Sequence, residues 1–240
     1  MGKGEIIFRD LGMTDYREAW DYQEVRFQKL VDYKRDHAGR KPPPQYLLFC
    51  EHPHVYTLGK SGDANNLLIS EDFLRKIRAT FYKTNRGGDI TYHGPGQIVG
   101  YPILDLEDLG TGLKQYIHLL EQIIIELLGS YGITATGRED ATGVWLDADQ
   151  PAKARKICAI GVRSGRFVTM HGFALNVNTD LSYFSYIHPC GFQTGGVTSM
   201  EKELGGTLDM DRTRDRLMDL FREKLREHGK FLIPGNMQDA

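Results

Sequence analysis

The sequence is poor in cysteine, tryptophan and long apolar runs, and neither sign of charge predominates. Its 240 residues include three cysteines, two tryptophans, 30 basic and 32 acidic side chains, which give a formal net charge of −2. Three widely spaced cysteines do not suit a disulfide framework and indicate reduced thiols, so we expect a cytoplasmic protein. The near-neutral charge provides no overall basic field for phosphates, which argues against nucleic-acid binding.

Charged residues interrupt every apolar run well before the length that a membrane-spanning helix needs. Residues 1–10 also lack the apolar core of a signal peptide, so we expect neither export nor membrane insertion. Hydrophobic residues make up 40% of the chain, and one core is common at this length. The sequence predicts one domain, residues 1–240, and we expect a monomer.

The apolar pattern predicts three long helices and a larger number of short strands. The helices span about Asp15–Ala38, Leu113–Ser130 and Asp211–His228, and a shorter one begins after Ser70. Strands are expected where β-branched and aromatic residues cluster. They are Ile6–Phe8, Tyr46–Cys50, Val55–Leu58, Thr80–Thr84, Ile98–Leu106, Lys156–Arg163, Arg166–His171 and Phe173–Val177.

The connections between these strands indicate the fold class. Several strand pairs are joined by loops too short for parallel crossovers, and a hairpin is predicted around Ser164-Gly165. Strands and helices also lack a regular βαβ alternation. The predicted class is α/β in the broad sense, of the α+β type, with a mixed sheet.

A glycine-rich loop is the first candidate for chemistry. The segment Arg86–Gln97 places four glycines and a proline around Tyr92 and His93, which gives backbone freedom beside side chains that hydrogen-bond. No Gly-Lys-Ser/Thr follows these glycines and no helix follows the loop, so phosphate binding is disfavoured. A structural hairpin connection remains the alternative to a ligand-binding loop.

Cys190 and Lys156 form the second candidate. Cys190 lies between Pro189 and Gly191, a setting that would present a nucleophilic sulfur, although a buried structural cysteine is the commoner case. Cys50 and Cys158 lie within apolar runs and fit that commoner case. Lys156 begins a strand, and facing inward it would stabilise a nearby thiolate.

Two weaker candidates involve histidine. Cys50, His52 and His54 are spaced by two and would share one face of a regular strand, as in a soft metal site. Pro53 interrupts that strand and no fourth ligand is evident, so we expect no metal. His188 lies two positions before Cys190 and competes with Lys156 as a base.

Three segments in this order resemble the octanoyl-[acyl-carrier-protein]:protein octanoyltransferases of lipoate biosynthesis. They are Arg86–Gln97, Lys156–Gly161 and His171–Gly191, and the likeness extends to Glu51-His52, Val55–Gly59 and Thr198-Ser199. His54 departs from the family pattern, where a second proline is expected after Pro53, at the rim of the pocket.

The resemblance implies a fold like the catalytic domain of biotin and lipoate protein ligases, with a mixed central sheet, a smaller sheet and flanking helices. It implies that Cys190 takes octanoate from acyl carrier protein, that Lys156 is the acid/base, and that the acceptor is a lysine on a lipoyl domain of a 2-oxoacid dehydrogenase or of the glycine-cleavage carrier. No cofactor is implied. The implied acyl pocket consists of Arg86, Gly87, Gly88, Asp89, Ile90, Thr91, Tyr92, His93, Ala159, Ile160, Gly161, Gly172, Phe173 and Ala174, with His52 at its edge.

Three other functions compete with acyl transfer. An ATP-dependent lipoate or biotin ligase of the same fold would need no nucleophilic cysteine. A non-catalytic acyl-chain or carrier-protein binding module would tolerate loss of the Cys190 sulfur. A cysteine hydrolase would use water in place of the amine.

Overall fold

The computed structural model describes residues 5–36, 39–188 and 196–228. Strands and helices follow one another irregularly along these residues, as the sequence predicts. The strands are β1 (Ile6–Met13), β2 (Gln45–Glu51), β3 (Val55–Leu58), β4 (Thr80–Lys83), β5 (Ile90–His93), β6 (Gln97–Ile103), β7 (Thr136–Gly137), β8 (Val144–Leu146), β9 (Arg155–Gly165), β10 (Val168–Asn176) and β11 (Gly196–Val197). The helices are α1 (Tyr16–Arg35), α2 (Glu71–Lys76), α3 (Leu113–Ser130), α4 (Met200–Leu204) and α5 (Met210–His228).

Two sheets organise these elements. In the described chain the larger sheet has the order β1-β2-β6-β10-β9-β8-β7, with β11 beside β9, and the smaller has the order β4-β3-β5. Strands β1 and β2 pair in parallel, as do β11 and β9, whereas β2, β6, β10 and β9 pair antiparallel. The predicted combination of a mixed central sheet and a smaller second sheet is therefore confirmed.

Helices cover both faces of the larger sheet. The apolar side of α3 packs with α5 on one face, where Phe49, Phe173 and Phe221 form an aromatic cluster. Helix α1 covers the other face through residues such as Phe27 and Leu30. Burying such side chains contributes about 1.5–3 kcal/mol each, which fixes the sheet between its helices.

The chain passes between the two sheets at two neighbouring places, from β2 to β3 and from β5 to β6. The Glu51 Oε2 atom accepts a hydrogen bond from the Gly96 backbone N–H at 2.7 Å, which holds the two connections side by side. Gly96 has φ +77°, and a Cβ there would lie 2.5 Å from the Asn178 carbonyl oxygen, so only glycine suits this position. These contacts hold the two connections between the sheets in place.

The structure corrects several predicted boundaries. The loop expected over Arg86–Gln97 contains β5, because residues 90–93 pair antiparallel with β3. The turn between β9 and β10 lies at Arg166 and Phe167, both at positive φ, two residues beyond the predicted Ser164-Gly165. The left-handed conformation at both positions matches the twist of a two-residue hairpin turn. Arginine and phenylalanine are not residues typical of such a turn, so the sequence does not indicate its position.

The ends of one helix and one strand also differ from the prediction. Helix α1 ends at Arg35, with Asp36 as its C-cap, three residues before the predicted Ala38, and its N-cap Asp15 accepts from the Arg17 N–H. Strand β1 continues to Met13 because parallel pairing with β2 supports residues that have little strand propensity of their own. Within the described ranges, no helix combines the length and apolar character needed to cross a membrane.

Candidate active site

A cavity of about 700 Å³ opens between the two sheets. This volume lies within the range of about 300–1,000 Å³ that is usual for small-molecule sites. Strands β5 and β6 form one wall and β9 and β10 another, while the short 3₁₀ helix at Leu181–Tyr186 contributes to a third. The cavity therefore lies where the predicted loop, the predicted hairpin and the segment before Cys190 come together.

Arg86 anchors one side of the cavity. Its guanidinium is buried, and its Nε and Nη2 atoms donate to the Thr57 hydroxyl at 3.2 and 2.8 Å. Asp89 follows in the same wall and accepts from the Ile90 backbone N–H and from Asn66 Nδ2 at 2.7 Å each. These bonds satisfy the buried charges and hold the backbone of residues 86–90 in place.

His93 is the central residue of a hydrogen-bond chain behind this wall. Its Nδ1 atom donates to Gln97 Oε1 at 2.8 Å, and its Nε2 atom lies 3.3 Å from the Thr57 hydroxyl, which is placed to donate to it. Burial lowers the pKa of His93 well below its usual value, so the ring is neutral and the stated donor roles are consistent.

The chain continues from Gln97 towards β11. Gln97 Nε2 donates to Asn176 Oδ1 at 2.9 Å, and Asn176 Nδ2 donates to the Thr198 carbonyl at 3.0 Å. The Thr198 backbone N–H in turn donates to the Lys156 carbonyl at 2.9 Å. Buried polar groups are thus satisfied from the glycine-rich segment to the start of β9.

Lys156 lies near the start of β9, five residues before Gly161, and lines the cavity. Its Nζ atom donates to the Thr142 carbonyl at 3.2 Å and lies 4.7 Å from the centre of the Trp145 ring. Trp145 is opposite Lys156 in the β8–β9 pairing, and its Nε1 atom donates to the Ala141 carbonyl at 2.9 Å. The aromatic face and the carbonyl together fix the position of the amine.

Two of the three cysteines are buried and free. Burial raises the pKa of Cys50 well above its usual value, and it also raises the pKa of Cys158. Thiols of this kind are inert as nucleophiles, because the thiolate is the reactive form. Cys190, together with Pro189 and Gly191, lies outside the described residues.

Residues 15–222 match the model of the lipoyl protein ligase A/B catalytic domain. An octanoyltransferase from Bacteroides fragilis is 56% identical to the chain over 213 residues, which cover 89% of this chain and 95% of that protein. The chain belongs to the lipoyl protein ligase A/B catalytic-domain family. The predicted family and the predicted enzyme class, an acyltransferase, are therefore confirmed.

Solved structures of lipoate protein ligases have a similar fold. A bipartite lipoate protein ligase from Thermoplasma acidophilum, studied with its E2 lipoyl domain, superposes with a TM-score of 0.66 at 15% identity and covers 97% of this chain and 86% of its own. Lipoate-protein ligase A bound with ATP superposes with a TM-score of 0.64 at 14% identity and covers 98% of this chain and 90% of its own. At these identities the likeness concerns the fold alone.

The cavity brings together most of the residues predicted for this lipoyl ligase-family chain. Besides Lys156, its lining includes Arg86, Gly88, Asp89, Ile90, Thr91, His93, Ala159, Ile160, Gly161, Gly172, Phe173 and Ala174. His188, the competing base, also lines it. The remaining predicted pocket residues, Gly87, Tyr92 and His52, are not in the lining.

Those three residues support the wall from behind. The Gly87 N–H donates to the Val162 carbonyl at 2.9 Å, which joins the loop to β9. The Tyr92 hydroxyl bonds to His54 Nδ1 at 2.8 Å on the far side of the smaller sheet. His52 bonds through Nδ1 to the Thr14 carbonyl and through Nε2 to the Tyr101 hydroxyl, each at 2.7 Å.

Sequence spacing suggested a weak metal site at Cys50, His52 and His54. His54 instead stacks on the Tyr183 ring with 4.2 Å between ring centres, away from the other two side chains. Pro53 lies between β2 and β3, so the alternation of a regular strand is lost there. In residues 5–36, 39–188 and 196–228, no group of three or more His, Cys, Asp or Glu side chains is placed to hold a metal ion.

The structure shows why two positions in the cavity wall require glycine. The implied acyl pocket includes glycines 87, 88, 161 and 172. A Cβ at Gly161 would lie 2.9 Å from the Gly87 carbonyl oxygen, and one at Gly172 would lie 2.2 Å from the Gly100 carbonyl oxygen. These glycines allow backbones to approach one another, and the space they leave is filled by protein atoms.

Several lining residues were not predicted from the sequence. Tyr16 and Tyr101 come from α1 and β6, and Thr142 and Trp145 come from the segment before β9. His171 is buried at positive φ (+58°), and its Nε2 atom bonds to Asn85 Oδ1 at 2.6 Å. His171 begins one of the three family segments but was not assigned to the pocket, and no motif marks the other four side chains, which reach the cavity through contacts between distant parts of the chain.

Proposed function

We propose that this chain transfers an octanoyl or lipoyl group from the phosphopantetheine thioester of acyl carrier protein to a lysine of a lipoyl domain, with Cys190 as the carrier of the acyl group. The observation that carries the proposal is that Lys156 lines the same cavity as His188 and Gly196, the described residues that flank the segment containing Cys190. The name of the Bacteroides fragilis relative, an octanoyltransferase, supports the acyl group chosen.

The described residues on either side of 189–195 border the same cavity as Lys156. Val197 is opposite Lys156 in the β11–β9 pairing, and Gly196 and His188 both line the cavity. Two residue steps separate Cys190 from His188, which is at most about 7 Å of extended chain. This short connection supports a Cys190 beside the cavity that Lys156 lines.

The proposed reaction has two transfer steps. The Lys156 amine takes the Cys190 thiol proton, and the thiolate attacks the thioester carbonyl, so that a carbon–sulfur bond to Cys190 forms as the pantetheine thiolate leaves with the proton from Lys156. Lys156 then takes a proton from the attacking lysine amine of the acceptor. An amide bond forms, the Cys190 thiolate leaves, and the proton returns to it. A thiolate suits both steps because it is a good nucleophile and a good leaving group.

The cavity offers a path for the acyl chain along β9 and β10. It runs from Lys156 past Ala159 to Gly161, five residues along a strand, or about 17 Å at the usual rise. Tyr16, Arg86 and His171 line its far end. Arg86 Nε and His171 Nε2 have hydrogen-bond partners within the protein, so an apolar chain end can lie against these two atoms at little cost, whereas the buried His171 Nδ1 atom has no partner among the described residues.

An ATP-dependent ligase is the nearest alternative, since ligases of this family have the same fold. The presence of Cys190 and the 56% identity to a protein named octanoyltransferase favour the transferase. A cysteine hydrolase would release free octanoate from the same intermediate. A non-catalytic binding module would retain carrier-protein binding and show no turnover to lose.

We further propose a cytoplasmic monomer that requires no cofactor or metal. The free thiols of Cys50 and Cys158 suit a reducing compartment. The acceptors would be lipoyl domains of 2-oxoacid dehydrogenases and the glycine-cleavage carrier protein, and the ligase from Thermoplasma acidophilum with its E2 lipoyl domain supports that class of acceptor.

The test is an intact-protein mass spectrum after incubation with octanoyl acyl carrier protein, without ATP. The wild type should gain one octanoyl group that hydroxylamine removes, and adding a lipoyl domain should transfer it. Cys190→Ala should gain none, whereas Cys158→Ala, which removes a buried thiol, should behave as the wild type. An adduct on Cys50 or Cys158, or transfer that requires ATP, would overturn the proposal.

A further inference from the structure

Glu121 stands out on the buried face of α3. The other buried residues of this helix are Tyr116, Leu120, Ile123, Ile124, Leu127 and Leu128, none of which carries a charge. Glu121 is only 7% exposed. Burying a carboxylate is costly unless polar groups compensate it, so packing alone does not account for this residue.

The partner of Glu121 is the peptide group between Thr142 and Gly143. The Glu121 Oε1 atom accepts a hydrogen bond from the Gly143 N–H at 3.0 Å. The Thr142 carbonyl of the same peptide group accepts a hydrogen bond from Lys156 Nζ at 3.2 Å. Because a trans peptide is planar and its N–H and C=O point in opposite directions, fixing the N–H also fixes the direction of the carbonyl.

The surrounding chain is built for this close approach. Gly143 has φ +124°, and a Cβ there would lie 2.5 Å from the Cys158 carbonyl oxygen, so the loop lies directly against β9. A Cβ at Gly137 would lie 3.0 Å from Glu121 Oε2. The loop that contains Gly143 is thus held between α3 and β9. The Glu121 carboxylate lies in the space that a side chain at position 137 would need.

We propose that Glu121 is a positioning residue that, through the Thr142–Gly143 peptide group, holds the Lys156 amine where it exchanges protons with Cys190. This rests on the proposed function, in which Lys156 is the acid/base. Hydrogen bonds in a chain polarise one another, so the carboxylate also makes the Thr142 carbonyl a stronger acceptor. Among the described residues, the other groups near the pair include His118 Nδ1, 3.7 Å from Glu121 Oε2, the Trp145 ring beside Lys156, and the buried Cys158 thiol, which interacts electrostatically with both side chains.

Glu121→Leu and Glu121→Gln separate positioning from packing. Leucine fills a similar volume and accepts no hydrogen bond, so kcat for transfer should fall about 100-fold, the effect of misplacing a reacting group by about 1 Å. KM for both protein substrates should stay unchanged. Glutamine retains an oxygen acceptor and should restore most of kcat. Glu126→Leu, which removes an exposed carboxylate from the same helix, is the matched control.

Two readouts report on the mechanism directly. Alkylation of Cys190 by iodoacetamide should move to higher pH in Glu121→Leu but not in Glu121→Gln, and labelling is read at Cys190 because the other two thiols are buried. Amide hydrogen exchange at Gly143 should be slow in the wild type and in Glu121→Gln, and fast in Glu121→Leu. Fast exchange at Gly143 in the wild type would overturn the proposal.

A double-mutant cycle distinguishes this proposal from the proposed function. In a Lys156→Ala background, Glu121→Leu should cause no further loss. If Lys156→Ala itself retains full activity, the proposed role of Lys156 fails. If Lys156→Ala is inactive but Glu121→Leu has wild-type kcat, or if the two losses multiply, then Glu121 does not act through Lys156.

Discussion

Replacing Gly161 by alanine tests how the cavity wall is built. The added Cβ would lie 2.9 Å from the Gly87 carbonyl oxygen and 3.3 Å from Arg86 Cδ. Because the nearer atom belongs to the backbone, residues 86–88 would have to move. Overpacking of this kind usually costs about 1–3 kcal/mol, and we expect a loss of unfolding free energy in that range.

The same substitution at Gly129 is the matched control. Gly129 lies in α3, and a Cβ there would meet no atom within 4 Å. Alanine in a helix is favoured over glycine by about 0.5–1 kcal/mol, so Gly129→Ala should stabilise the protein. Urea unfolding followed by circular dichroism measures both changes.

The two variants should also differ in activity. Displacing the Arg86–Gly88 segment should lower kcat/KM for octanoyl transfer between about 10-fold and 100-fold in Gly161→Ala, whereas Gly129→Ala should retain the wild-type value. The reasoning is refuted if the unfolding free energy of Gly161→Ala lies within about 0.5 kcal/mol of the wild-type value and its kcat/KM is unchanged. A change that small is usual for exposed positions and would mean that no atom lies close to this glycine.

Three further predictions concern the base, the acyl chain and pH. Arginine in Lys156→Arg can still donate to the Thr142 carbonyl but cannot accept a proton, so kcat for transfer should fall by about 100-fold to 10,000-fold. His188→Ala should retain most of its activity. The opposite ranking of the two variants would make His188 the base. An octanoyl donor should exceed a butanoyl donor in kcat/KM by about 200-fold, because each of four buried methylenes contributes about 0.8 kcal/mol. Equal values would show that no acyl pocket operates. Burial lowers the pKa of His52 to about 4 and that of His171 to about 3, and the unfolded chain binds the same protons near about pH 6.5. As pH falls, the unfolded state therefore gains protons before the folded state does, so the free energy of unfolding should decrease. The contribution of His52 should be lost between about pH 6.5 and about pH 4, and that of His171 between about pH 6.5 and about pH 3. Urea titrations across this interval measure the decrease, which His52→Asn should reduce; an equal decrease in that variant would exclude His52 as a contributor.

Much of the fold follows from local patterns in the sequence. The helix over Leu113–Ser130 and the strand over Val55–Leu58 have the predicted bounds, because their apolar periodicity and flanking breakers are local signals. The family motifs and their order along the sequence also predicted the family to which the chain belongs. The buried states of Cys50 and Cys158 follow from their apolar neighbours in the chain.

Only the tertiary structure decided which side chains share the cavity and what the glycines do. Strand β5 exists because residues 90–93 find β3, which lies more than 30 positions earlier, and a local pattern does not contain that partner. Glu121 resembles any polar residue of an amphipathic helix until the β7–β8 loop folds against it. Sequence determined the residue types and their local conformations, whereas long-range pairing determined the distances on which their chemistry depends.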